Sequence, residues 1–258
     1  MSLPEKHRIR AAFSRAAVSY DAAAVLQREV CRQLLDMLRA SNARHMPADI
    51  LDAGCGTGYG ARLLASEWPS ARLAAADFAA AMAQKTASTT AAACVADIES
   101  LPFRNQAFDL WWSSLTVQWC DPRYVFAEAV RVLRPQGRLA LSTLGPGTYA
   151  ELRQAFAGID HHRHTLDFSE PAPLAAAAET AGLAQLQIVR RTITLHYPDL
   201  KTLLGAVKAI GANALGDGRR SGMMGKAAWQ ALSAAYEAQR TADGRPASYD
   251  VILLTARA

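Results

Sequence analysis

The sequence predicts an α/β fold: a mostly parallel sheet of seven strands with helices on both faces, preceded by helices and carrying a helical insertion between its last two strands. Three observations point there. Short apolar runs alternate with helix-patterned stretches from residue 50 to residue 143, which is how a parallel sheet covered on both sides reads. The first run, Ile50 to Ala53, enters a bend in which Gly54, Gly56 and Gly58 fall at every second position. Acidic residues then stand at the tips of three successive runs, as Asp52, Asp77 and Asp97.

Taken in order, the chain opens with amphipathic helices. Ile9, Phe13 and Ala16, then Leu26, Val30, Leu34 and Leu38, recur at three- and four-residue steps. Ser19-Tyr20-Asp21 breaks them, with Tyr20 either packing the joint or capping a pocket. The glycine bend lets backbone approach a ligand without side chains in the way. A helix over Ala61 to Glu67 should follow, then a strand over Arg72 to Ala76 ending at Asp77, with Phe78 and Met82 just beyond. The third strand, Ala92 to Ala96, ends at Asp97-Ile98. Phe108 to Ser113 is the fourth, and the loop from Ser114 to Cys120 contains Gln118 and Trp119.

Asp121-Pro122 is a helix start, with the acid as cap and proline in the first turn. That helix should stop near Arg134-Pro135-Gln136-Gly137, before a fifth strand over Arg138 to Thr143. Leu186 to Leu195 and Val251 to Thr255 complete the sheet. The segment between those two is far longer than a hairpin needs, and it should hold helices over Leu200 to Ala209 and Lys226 to Gln239. Pro146 to Pro173 is a second addition, of the kind that forms lids. Its His161, His162 and His164 have no evident carboxylate partner, so they should be exposed, and no metal site is expected.

Bulk properties narrow the class. With 258 residues, 51% of them hydrophobic, the chain can bury a sizeable core as one domain. We divide it into a helical lid (1–45), a ligand-binding core (46–145) and a C-terminal part (146–258) with its insertion at about 198–245. There is no long uncharged apolar run and no apolar leader near the start, so neither a membrane span nor a signal peptide is expected. Four scattered cysteines fit a reducing cytoplasm. A net charge of +5 is too small to imply nucleic acid but suits an acidic partner.

The acid, the G-x-G-x-G bend and the second acid, Asp77, 19 positions after Gly58, resemble the cofactor site of Rossmann-like class I S-adenosylmethionine methyltransferases. A nicotinamide enzyme is disfavoured, because the dinucleotide fingerprint wants a small residue where Tyr59 stands. More broadly, AAFSRAAVSYD, LDAGCGTG, ADIESLPF, SSLTVQWC and LKTLLGAVKAIGANAL together resemble the malonyl-acyl-carrier-protein O-methyltransferase family of biotin synthesis, over nearly the whole chain. Val117 to Cys120 and Lys208 to Ala212 are the more specific parts of that resemblance.

The resemblance implies methyl transfer from S-adenosylmethionine to the free carboxylate of a malonyl thioester, leaving S-adenosylhomocysteine. Asp52, Gly54, Gly56, Gly58, Asp77, Phe78, Met82, Asp97, Ile98 and Ser114 are the expected cofactor contacts. Among these, Asp77 would grip the ribose hydroxyls and Asp97 the adenine amino group. The acceptor carboxylate is already ionised at neutral pH, so no general base is expected. Tyr20, Gln118, Trp119 and Lys208 are the candidates for positioning it, with a neutral donor pair competing against the lysine. Acyl carrier protein is acidic, so Arg219, Arg220 and Lys226, with Lys201 in support, are the expected docking cations. Two alternatives remain open: a methyltransferase for a small acid or ring carbon, and a non-catalytic cofactor-binding regulator.

Overall fold

The computed structural model describes residues 5–41, 46–88, 92–160, 162, 164–212, 222 and 224–258. Its seven strands are β1 (Asp49–Ala53), β2 (Arg72–Asp77), β3 (Ala92–Val95), β4 (Phe108–Ser114), β5 (Leu133–Leu144), β6 (Ala184–Tyr197) and β7 (Arg245–Arg257). They form one sheet in the order β3-β2-β1-β4-β5-β7-β6. The first five run parallel, and β7 enters antiparallel between β5 and β6. The strand order reverses between β1 and β4, so a crevice opens there beyond their carboxyl ends.

Successive side chains on a strand face opposite sides, and the chain uses both. Ile50, Leu110 and Trp112 pack in one core with Leu34 of α3 (Val25–Ser41) and Tyr236 of α10 (Lys226–Glu237). Leu51, Trp111 and Leu139 face the other way, against Phe126 of α6 (Pro122–Val132) and Leu174 of α8 (Pro171–Thr180). Full burial of a Leu- or Phe-sized side chain contributes about 1.5–3 kcal/mol, so these two layers supply most of the drive to fold. Asp121 caps α6 by accepting from the Arg123 N–H, with Pro122 in the first turn as expected.

The remaining helices are α1 (Lys6–Ala16), α2 (Tyr20–Ala23), α4 (Tyr59–Glu67), α5 (Ala80–Ala87), α7 (Ala150–Phe156) and α9 (Leu200–Ala209). Three differences from the sequence expectation have physical causes. β5 begins at Leu133, because Arg134 to Gly137 form an irregularity within the strand instead of a separate loop: Phe108 pairs with Leu133, and pairing resumes at Leu110 with Arg138. α7 lies within the addition at Pro146 to Pro173 and α8 begins near its end, and neither helix was expected; α8 reads PAPLAAAAET, whose alanines give no apolar–polar contrast. His164 is not simply exposed: its Nε2 lies 2.6 Å from Asp160 Oδ1, and its ring stacks on Phe156 at 3.4 Å. His161 lies outside the described residues; among those described, no group of three potential ligands could hold a metal. No helix among them is long and apolar enough to cross a membrane.

Candidate functional site

The bend after β1 leans on β2. Gly54 and Cys55 both donate backbone N–H to the Ala76 carbonyl, at 2.7 and 3.0 Å. Gly54, Gly56 and Gly58 have φ of +80°, +55° and +86°, the left-handed region that side chains rarely enter. A Cβ on Gly54 would also fall 2.3 Å from the Thr116 hydroxyl, whereas one on Gly56 would meet nothing within 4 Å. Gly56 thus faces open space, which a ligand can fill. Gly58 caps α4 and packs near Thr86, so it shapes the turn and lines none of the clefts described below.

Asp77 is pinned from both sides: Gly56 N–H donates to its Oδ2 at 3.0 Å, and Ala79 N–H to its Oδ1 at 2.8 Å. Burial still pushes its pKa up to about 6 against those two bonds. Asp52 is more extreme. It is 2% exposed, and its Oδ2 has no hydrogen-bond partner among the described residues. Burial, reinforced by the charge of Asp77, raises its pKa to about 7, with the Ala61 backbone N–H opposing. A buried carboxylate oxygen without a donor is costly, and a cationic or hydroxyl-bearing ligand would relieve it.

Three clefts meet here. The first runs over the bend between Asp77, Phe78, Met82, Asp97, Ile98 and Ser114. The second lies behind it, between Asp52, Gln27, Arg28 and Trp112. The third is wide and mostly apolar, with about 1280 Å³ of empty space partly open to solvent, lined by Gln118, Trp119, Leu152, Phe156, Leu204 and Lys208 among others. Tyr20 borders all three. Every expected cofactor contact except Gly58 therefore lines the first or second cleft, and all four expected positioning residues line the third.

Details modify individual expectations. Asp97 already pairs with Lys6 at 2.5 Å and accepts the Glu99 N–H at 3.0 Å. Gln118 spends one amide proton on the Leu115 carbonyl at 2.6 Å, and its oxygen accepts from Thr143 at 3.3 Å. Trp119 is buried edge-on to Phe13, their ring centroids 5.6 Å apart. Ser114 Oγ lies 3.0 Å from Ser142 Oγ. Lys208 is exposed at the rim. Lys201 and Lys226 are exposed on α9 and α10, while Arg219 and Arg220 lie outside the described residues.

Lys6, Gln27, Arg28 and Thr116 also line the clefts and were not among the sequence candidates. Periodicity marks the α1 and α3 positions only as faces of N-terminal helices. Nothing local shows which polar residues turn inward.

Comparison with known proteins accords with this geometry. Residues 51–141 match the family described as Methyltransferase domain. The chain is 48% identical over 254 residues to a malonyl-[acyl-carrier protein] O-methyltransferase of Dechloromonas aromatica, covering 98% of this chain and 95% of that one. It is 38% identical to a biotin biosynthesis bifunctional protein of Cellvibrio japonicus, covering 97% of this chain and 50% of that one. Among solved structures, phosphoethanolamine N-methyltransferase 2 of Haemonchus contortus, in complex with S-adenosyl-L-methionine, shares the fold with a TM-score of 0.53 and 17% identity. That likeness covers 88% of this chain and 52% of the other.

Proposed function

This chain belongs to the malonyl-[acyl-carrier protein] O-methyltransferase family, and from that premise we propose how its residues divide the work. The enzyme transfers a methyl group from S-adenosylmethionine to malonyl-acyl carrier protein in biotin synthesis. Bound between the first two clefts, the cofactor supplies a methyl group already activated on a sulfonium. Asp77 holds the ribose hydroxyls, Phe78 and Ile98 flank the adenine, and Asp52 receives the ammonium of the methionine end. The observation carrying this assignment is the pair of buried acids beside Gly56: one is fixed by two backbone donors, and the other keeps an oxygen without a donor.

The acceptor is the free carboxylate of the malonyl group, which is ionised at neutral pH, so no side chain need remove a proton. Tyr20, Trp119 and the remaining amide proton of Gln118 orient that carboxylate where the third cleft meets the first. Neutral donors suit the task better than a tight ion pair, which would blunt the attacking oxygen. Lys208, exposed at the rim, draws the anion in without clamping it. The apolar walls exclude water, and correct placement of this kind is worth roughly 7–11 kcal/mol of a barrier. The protein-borne substrate is brought by an acidic carrier, which docks against Lys201 and Lys226 and against Arg219 and Arg220.

The deciding experiment incubates the chain with methyl-labelled S-adenosylmethionine and malonyl-acyl carrier protein. Label should appear in a base-labile ester on the carrier. Cofactor binding without transfer would instead support a regulator, and preferential labelling of free acids would support a small-acid methyltransferase.

A further inference from the structure

Three tyrosines from separate strands and loops meet at one wall of the third cleft. Tyr149 Oη lies 3.5 Å from Tyr249 Oη, which lies 3.4 Å from Tyr197 Oη, and the Tyr149 and Tyr249 rings cross at 4.9 Å. Tyr149 and Tyr249 both line the cleft. Three hydroxyls carry three protons but share two contacts, so at least one proton has no acceptor inside the cluster. Both contacts are also long beside the usual 2.7–2.8 Å between hydroxyls. A spare donor next to apolar walls calls for an acceptor from outside.

The backbone gives independent support. Tyr149 has φ +58°, a conformation that is an outlier for a bulky side chain. It is held there from several directions: its N–H donates to Ser248 O at 2.7 Å, the preceding Gly147 N–H to Asp250 Oδ2 at 2.9 Å, and its own carbonyl accepts from Arg153 N. Strain that the surroundings over-determine clusters at ligand sites.

We propose that Tyr249, accepting from Tyr149 and from Tyr197, turns its own proton to a neutral carbonyl oxygen of the thioester arm, with Tyr149 as the residue that positions it. The inference rests on the function proposed above. The acceptor is a carbonyl and not the reacting carboxylate, because the two tyrosines line the third cleft alone, whereas methyl transfer belongs where Tyr20 joins all three. Burial also raises the pKa of both phenols well above the ordinary tyrosine range, so they remain protonated donors throughout the working pH.

The test is steady-state kinetics on malonyl-acyl carrier protein with Tyr149→Phe and Tyr249→Phe, each checked by thermal unfolding and by calorimetric binding of S-adenosylhomocysteine. Tyr249→Phe should raise KM about tenfold, as expected for a lost hydrogen bond, and Tyr149→Phe, which loses only the orienting bond, should raise it less, while S-adenosylhomocysteine affinity holds in both. If one variant fails to fold, the other carries the test. Unchanged KM in folded variants overturns the Tyr249 donor alone, and so does a loss confined to kcat. Absence of transfer by the unaltered chain overturns the functional assignment and this inference together.

Discussion

Lys6, in the first turn of α1, places its ammonium 2.5 Å from a carboxylate oxygen of Asp97, a residue 91 positions later at the tip of β3. Glu99 receives the same ammonium at 2.6 Å. Burial alone would lower the lysine pKa, but the hydrogen bonds it donates to both acids, and their charges, outweigh it and raise it. The contact ties the N-terminal helix across the mouth of the first cleft, beside the place assigned to the adenine. Because Lys6 is 47% exposed and Asp97 32%, the pair contributes no more than about 1 kcal/mol.

Lys6→Met should therefore loosen α1 without unfolding the protein. Hydrogen exchange across residues 6–16 should quicken severalfold while global stability changes by less than about 1 kcal/mol. Unaltered exchange would show that apolar packing of Ile9 and Phe13, and not the ion pair, holds α1 down.

Asp77→Ala should weaken S-adenosylmethionine binding by more than tenfold in calorimetry. It removes both the proposed partner for ribose hydroxyls and the acceptor that fixes the Gly56 N–H at 3.0 Å. An affinity equal to that of the parent protein would remove Asp77 from the site.

Acidity should govern cofactor binding through Asp52 and Asp77, whose pKa values stand at about 7 and about 6. Both are raised above the ordinary carboxylate value of about 4, so the ligand-free folded state binds more protons than the unfolded one between those limits. Stability contributed by these groups is therefore present at low pH and falls as pH rises toward 7. Binding a cationic ligand favours the ionised acids and reverses the trend. The rise in thermal midpoint caused by S-adenosylmethionine should thus grow between pH 5.5 and 8, and Asp52→Asn should flatten that growth. A ligand-induced rise independent of pH would contradict the assigned partners.

Reversing Arg219 and Arg220 to Glu, or Lys226 to Glu, should raise KM for malonyl-acyl carrier protein several times more than for malonyl-coenzyme A. Higher salt should erode the parent's advantage on the carrier substrate, since exposed charges act over about one Debye length. Equal effects on both substrates would remove the docking surface.

Much of the lining of the first cleft was legible in sequence because its determinants are local. A strand, a bend of alternating glycines and an acid at the next strand tip stand close together in the chain, and the parallel register brings Ala53 beside Ala76. The helices expected over Leu200 to Ala209 and Lys226 to Gln239 are present as Leu200–Ala209 and Lys226–Glu237. The Lys6–Asp97 tie and the meeting of Tyr149 with Tyr249 were not legible, because each joins residues about a hundred positions apart through topology alone. Asp160 and His164 lie within one turn's reach of each other. Their pairing is not legible in the sequence, because an acid four positions before a histidine in a loop carries no periodicity that sets one side chain against the other.

The placement of β7 carries a consequence for biosynthesis. A chain that has emerged only as far as Leu144 possesses the parallel half of the sheet but bares the whole outer edge of β5, since the strand that covers it spans Arg245–Arg257. Closure has to wait while about a hundred more residues are translated, and until then that open rim invites pairing with other nascent chains. Ribosome-associated holding factors should engage this protein during that interval, and slowing translation after residue 144 should lower the yield of monomeric product.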